Sequence, residues 1–211
     1  GVQHIVEALR AYTHEFTNKL HVILGLLQLG ENRQAEEYVL RLTKTRAHSI
    51  SYISERIQEP SVAALLIGKS YRAAELGIRF VLDPASELRG DGQYLPASSL
   101  ITILGNLTEN AFDALRSAPE NAQKEVTVSI REGEHGMLLS VDDSGAGMAA
   151  PQLDRIFERG FSTKGEGRGT GLSLVKETVD AFGGTIRVES EPGIGSSFII
   201  TFSDAESRAQ T

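Results

Sequence analysis

Apolar side chains at Val2, Ile5, Leu9, Tyr12, Phe16, Leu20, Ile23 and Leu27 recur at steps of three or four. That spacing predicts an amphipathic helix over 2–29. Gly30 and Asn32 supply a stop and a restart. A second helical pattern runs through Tyr38, Val39, Leu42, Ser49, Ile50, Ile53 and Ile57 and ends before Pro60. Two long helices joined by so short a loop pack antiparallel. A lone two-helix hairpin cannot cover both stripes, so the pattern predicts a homodimer closed by a four-helix bundle.

The texture changes from Ser61. Val62 to Leu76 reads as a helix closed by Gly77, and Ile78 to Leu82 as a strand. Pro84 to Tyr94 reads as a loop, and a helix capped by Ser98 or Ser99 runs to Arg116. Two alternating strands follow, Val126 to Arg131 and Met137 to Val141. A short helix near Pro151 to Phe157, a helix from Thr170 to Phe182 and a hairpin of Thr185–Glu189 with Ser197–Phe202 complete the pattern. The expected fold class is α+β: a helical hairpin over 1–59, an α/β sandwich over 60–205 and a tail over 206–211. Its sheet should be mostly antiparallel.

Composition sharpens this division. Of 21 glycines, thirteen lie between Gly133 and Gly195, and none between residues 31 and 67. A net charge of −7 argues against a nucleic-acid partner, because neutralising phosphates needs an excess of Lys and Arg. With no cysteine there is neither a disulfide framework nor a thiolate zinc site, which fits a reducing compartment. Apolar runs are far shorter than a membrane span, so a soluble fragment without membrane contact is expected. The opening Gly1 in place of Met points to a longer parent.

Four clusters carry candidate chemistry. His14 points roughly 200° away from Tyr12 and Phe16 around the first helix, with Glu15 beside it and Asn18 one turn on. A carboxylate next to an imidazole can hold its tautomer and take its proton, leaving a ring nitrogen as nucleophile. Asn106, Asn110 and Asp113 share one helical face, where an amide oxygen suits a hard cation such as Mg²⁺. Asp143, Gly145 and Gly147 follow a strand, offering an acceptor for an exocyclic amine and backbone that approaches closely. Gly167, Arg168, Gly169, Thr170, Gly171 and Leu172 open a helix, where exposed N–H groups favour phosphate. Between the last two clusters lie Phe157, Phe161 and Lys164, in a connection with the character of a lid. Taken singly, each cluster is also compatible with an ordinary solvated helix face or tight turn.

Their order and spacing resemble the successive sequence boxes of two-component sensor histidine kinases, from about residue 2 to 202. The stretch from His14 to Leu20 is most similar to the citrate and C4-dicarboxylate sensor kinases (CitA/DcuS-like). The resemblance implies a dimerisation and phosphoacceptor hairpin followed by a Bergerat-type ATP-binding domain. It implies His14 as phosphoacceptor, Glu15 as its base partner and Asn18 as an aid to dephosphorylation of the partner. It further implies Asn110 as the Mg²⁺ ligand and Asp143 as the adenine contact. The phosphates would face residues 167 to 172 beneath the Phe157, Phe161 and Lys164 lid. The cofactors would be ATP and Mg²⁺, and the partners a second copy and the receiver domain of a response regulator. The parent would sit in the bacterial membrane with this part on the cytoplasmic side.

Two positions depart from common patterns. Asp113 stands where many such kinases carry Lys or Arg, which shifts weight for phosphate contact to Lys164 and Arg168. Asn106 stands where related ATP-hydrolysing proteins carry a water-activating Glu, which favours transfer to a side chain over hydrolysis. An ATP-driven machine that never phosphorylates His14, and a non-catalytic dimerisation module, are the competing expectations.

Overall fold

The computed structural model describes residues 17–43, 48–90, 92–116, 118, 122–158, 160 and 170–203. His14, Glu15, Phe161, Lys164, Gly167, Arg168 and Gly169 lie outside these. The chain divides into two compact units, 1–47 and 48–211.

In the first unit, helix α1 (17–28) and helix α2 (Asn32–Thr43) form the expected hairpin arms. The turn closes as the glycine pattern predicts. Gly30 takes a positive φ of 76°, its N–H donates to Leu27 O, and Glu31 N donates to Leu26 O at 2.9 Å. These paired bonds satisfy the last carbonyls of α1 in a Schellman closure, which an L side chain at position 30 would strain. Leu20, Val22, Leu24, Leu27 and Leu29 are exposed in this single copy.

The second unit begins with helix α3 (His48–Arg56) and helix α4 (Pro60–Glu75). Strand β1 (Arg79–Leu82), helix α5 (Ala97–Arg116), strand β2 (Glu125–Glu132) and strand β3 (Gly136–Asp143) follow. Helix α6 (Ala150–Leu153), helix α7 (Gly171–Ala181), strand β4 (Thr185–Glu191) and strand β5 (Gly195–Ser203) complete it. The sheet order is β1-β2-β3-β5-β4, with β1 parallel to β2 and the other pairs antiparallel. This is the α+β sandwich that the alternating and helical patterns predict. Helices cover one face. The other, hydroxyl-rich face holds a shallow groove of about 300 Å³ lined by Thr127, Ser129, Ser140 and Ser197 among others.

Alternation along β3 sends Met137, Leu139, Val141 and Asp143 to the helix side, where α5 contributes Ile103, Leu104, Leu107, Ala111, Phe112 and Leu115. Two boundaries differ from the sequence pattern. The carbonyl of Pro96, rather than Ser98 or Ser99, receives the first amides of α5. Ile53 and Ile57, which the periodicity assigns to the hairpin's second arm, are buried in the core of the second unit with Val62, Leu66 and Leu88. Ile57 bridges Leu88, Tyr52 Oη donates to Leu82 O, and the Arg56 guanidinium stacks 3.9 Å over the Tyr52 ring. The presumed loop after Pro84 thus carries a strand-like contact that a periodicity argument does not detect.

Candidate functional site

Helix α5 organises the site. Its apolar face is locked into the core, so its polar face, with Asn106, Asn110 and Asp113 all half-buried, has one possible direction. The structure brings three of the four sequence clusters onto or beside this face. Asp143, at the end of β3, is only 8% exposed, and its Oδ1 accepts from Gly145 N at 2.8 Å. Gly145 rests on α5: a Cβ there would lie 3.0 Å from Ala114 Cβ and 2.7 Å from Asp143 Oδ1. Gly171, the first residue of α7, packs on Asn106, whose Oδ1 lies 2.8 Å from where a Cβ would stand. At Gly145 the Ala114 backbone and Cβ leave no room for a side chain, whereas at Gly171 a Cβ would displace only the Asn106 amide from its present place.

The N-terminus of α7 is preceded by Thr170, which is exposed and makes no side-chain cap. Ser173 Oγ donates to Thr170 O, and Leu174 N closes the first turn on the same carbonyl. The remaining leading amides carry the positive end of an 11-residue helix, which suits an anion. Leu172 and Phe157 are half-buried and pack against the core. Phe157 thus packs the start of its connection against the core.

Other predicted residues are placed differently. Asp113 forms an i,i+3 ion pair with Arg116 at 3.1 Å, so a local guanidinium offsets the acid that stands where a base is common. Glu109, next to Asn110, turns toward α4 and pairs with Lys69 at 2.5 Å. Asn106 Nδ2 donates to Thr102 O, which presents its Oδ1 toward Gly171. Asn18 is exposed on α1, in the first unit. Among the described residues no group of three or more His, Asp or Glu could hold a metal.

Sequence reasoning missed the contribution of the β4–β5 hairpin. Ser196 is 8% exposed and lies directly opposite Asp143 on β5, and Ser190 lies opposite Ser196 on β4. Gly147, with φ 65°, has no room for a Cβ because the Glu191 carbonyl fills that space. Gly195, which lies against the Asp143 carbonyl, is the signal of this close packing in the sequence, but its partner is far away along the chain.

Residues 96–206 match the profile of the histidine kinase-, DNA gyrase B- and HSP90-like ATPases. The chain belongs to this ATPase family. Residues 1–55 match the α-helical domain of SpoOB-type sensor kinases. The chain is 44% identical to the sensor histidine kinase DcuS of Escherichia coli (strain K12) over 201 residues, covering 95% of this chain and 36% of DcuS. It is 41% identical to the sensor protein CitS of Halalkalibacterium halodurans, covering 99% of this chain and 39% of that protein. The chain thus spans little more than a third of the length of these relatives. Among solved structures, full-length ShkA in complex with AMPPNP aligns with a TM-score of 0.56 at 26% identity, over 94% of this chain and 46% of ShkA. The nucleotide-free catalytic domain of the histidine kinase ThkA shares the fold, with a TM-score of 0.55 over 68% of this chain and 90% of that domain. The ATPase profile covers α5 through β5, the part that holds every described candidate residue of the second unit.

Proposed function

We propose that this chain is the catalytic core of a sensor histidine kinase that phosphorylates His14 from Mg-ATP and passes the phosphoryl group to an aspartate of a response regulator. The observation that carries this is the packing of the Asp143–Gly145 turn and the α7 N-terminus on the helix that bears Asn106 and Asn110. Asp143 would take the adenine amine, and the amides from Gly169 to Leu172 the phosphates. The lid residues Phe157, Phe161 and Lys164 would lie over them, with Arg168 as a further phosphate contact. Asn110 offers a half-buried amide oxygen, a hard donor that fits Mg²⁺ sharing its remaining positions with water and phosphate. When bound, that ion would neutralise phosphate charge.

A ring nitrogen of His14 attacks the γ-phosphorus as its bond to the ADP oxygen breaks, and Glu15 accepts the displaced ring proton. Hydrolysis is disfavoured because Asn106 is no base and the Glu109 carboxylate is held by Lys69. A second copy would cover the exposed Leu20, Leu24 and Leu27, which recur at i, i+4 and i+7 along α1. As the resemblance of its sequence boxes implies, the parent would sit in the bacterial membrane with this part on the cytoplasmic side. Among the described residues no helix is long and apolar enough to cross a membrane.

Incubation with γ-labelled ATP should give an acid-labile, base-stable label that disappears in His14→Gln. Asn18→Ala should keep that label while slowing loss of phosphate from the regulator. A label that survives His14→Gln would overturn the phosphoacceptor assignment. Rapid phosphate release that also survives it would favour an ATP-driven machine.

A further inference from the structure

The turn that follows Asp143 is held from outside by a hairpin that none of the sequence clusters includes. Ser190 Oγ accepts from Met148 N at 2.8 Å, across 42 residues of chain. The same hydroxyl lies 3.0 Å from Gly195 O and 2.9 Å from Ser196 Oγ, and it has one proton to give to one of them. Gly193 N donates to Ala146 O at 2.7 Å. Gly147 lies against the carbonyl of Glu191, and Gly195 against that of Asp143. Thus each end of the 143–148 turn meets the β4–β5 hairpin, through backbone that glycine alone lets so close. Within this contact Ser190 supplies the side-chain acceptor that fixes the far end of the turn.

We infer that Ser190 is a positioning residue for nucleotide-base recognition: it fixes Met148 N and, with it, the turn that Asp143 and Gly145 begin. The inference rests on the proposal that this turn receives the base. Ser190 touches neither phosphate nor metal in this scheme, so its loss should weaken every adenine nucleotide alike. In Ser190→Ala the Met148 amide loses its acceptor at a half-buried position, and the turn gains freedom that binding must then remove.

The test is calorimetric titration of the full chain with Mg-ATP and, separately, Mg-ADP. Ser190→Ala should raise Kd by about 5- to 20-fold, the scale of one buried hydrogen bond, and by the same factor for both nucleotides. Ser190→Thr, which keeps a hydroxyl on a β-branched side chain suited to a strand, should return both to within about threefold. A mere folding defect would instead lower the bound stoichiometry and leave the Kd of the folded fraction unchanged. If the alanine variant does not fold, Ser190→Cys, a much weaker acceptor of similar size, gives the same comparison. Wild-type affinity, a loss confined to one nucleotide, or no recovery in Ser190→Thr would each overturn the role of Ser190. Asp143→Asn, titrated alongside, separates the two levels. If it too binds normally, the base-turn proposal itself fails. If it loses binding while Ser190→Ala does not, only the inference about Ser190 falls.

Discussion

At the scale of single residues, the Lys69–Glu109 pair shows how a charged contact beside the site can be structural. Its two ends are unequal: the lysine side chain is 15% exposed and the glutamate 49%. Removing the glutamate leaves a largely buried ammonium without its partner, whereas removing the lysine leaves a carboxylate that water can reach. Glu109→Ala should therefore destabilise the domain by about 1–3 kcal/mol, while Lys69→Met, which keeps the apolar stem, should cost less than about 1 kcal/mol. Urea unfolding of the two variants checks this, and equal losses would refute the asymmetry. Asn110, Asp143 and Gly171 could be found from sequence because their chemistry is local: an amide on a helix face, an acid ending a strand, small residues opening a helix. Lys69, Ser190 and Ser196 could not. Their significance comes from partners 40, 42 and 53 residues away, and a hydroxyl or an amine alone carries no trace of such a partner.

At the scale of elements, most boundaries were legible because each is set by a local conflict. Helix α4 ends where Gly77 takes φ 68° and Ile78 N reaches back to Ala73 O at 2.8 Å. Helix α4 also contains Gly68, exposed and with nothing within 4 Å of a built Cβ. The two glycines should respond with opposite signs. Gly68→Ala removes backbone freedom from the unfolded chain and should stabilise by about 0.5–1 kcal/mol. Gly77→Ala forces a Cβ into the left-handed region and should destabilise by about 1 kcal/mol. Thermal unfolding of the pair measures both, and shifts of the same sign would contradict the assigned cap. Helix α3 is the instructive exception. The step from Ile50 to Ile53 to Ile57 is the same whether the stripe faces a helix or a sheet domain, so periodicity reveals a buried face but not what buries it.

At the scale of the whole chain, this ambiguity bears on where the ATP-binding domain starts. The helical-domain profile extends through residue 55, whereas the compact unit containing the sheet begins at His48. Ile53 and Ile57 are 3% and 1% exposed within that unit's core, and around the Ile57–Leu88 bridge Gln58 N donates to Leu88 O while Leu88 N donates to Arg56 O. Burying an isoleucine side chain is worth about 1.5–3 kcal/mol, so a fragment cut at Pro60 gives up two such contributions and exposes Val62, Leu66 and Leu88. The fragment 48–211 should therefore unfold cooperatively and bind Mg-ATP with the affinity of the full chain, since α5, α7 and the β4–β5 hairpin lie wholly inside it. The fragment 60–211 should be less stable by about 3–6 kcal/mol, with a lower urea midpoint. Equal midpoints for the two fragments would place α3 outside the cooperative unit and return it to the hairpin. The expected difference would instead mean that the two arms of the hairpin differ in kind, the second ending as part of the domain that holds the nucleotide.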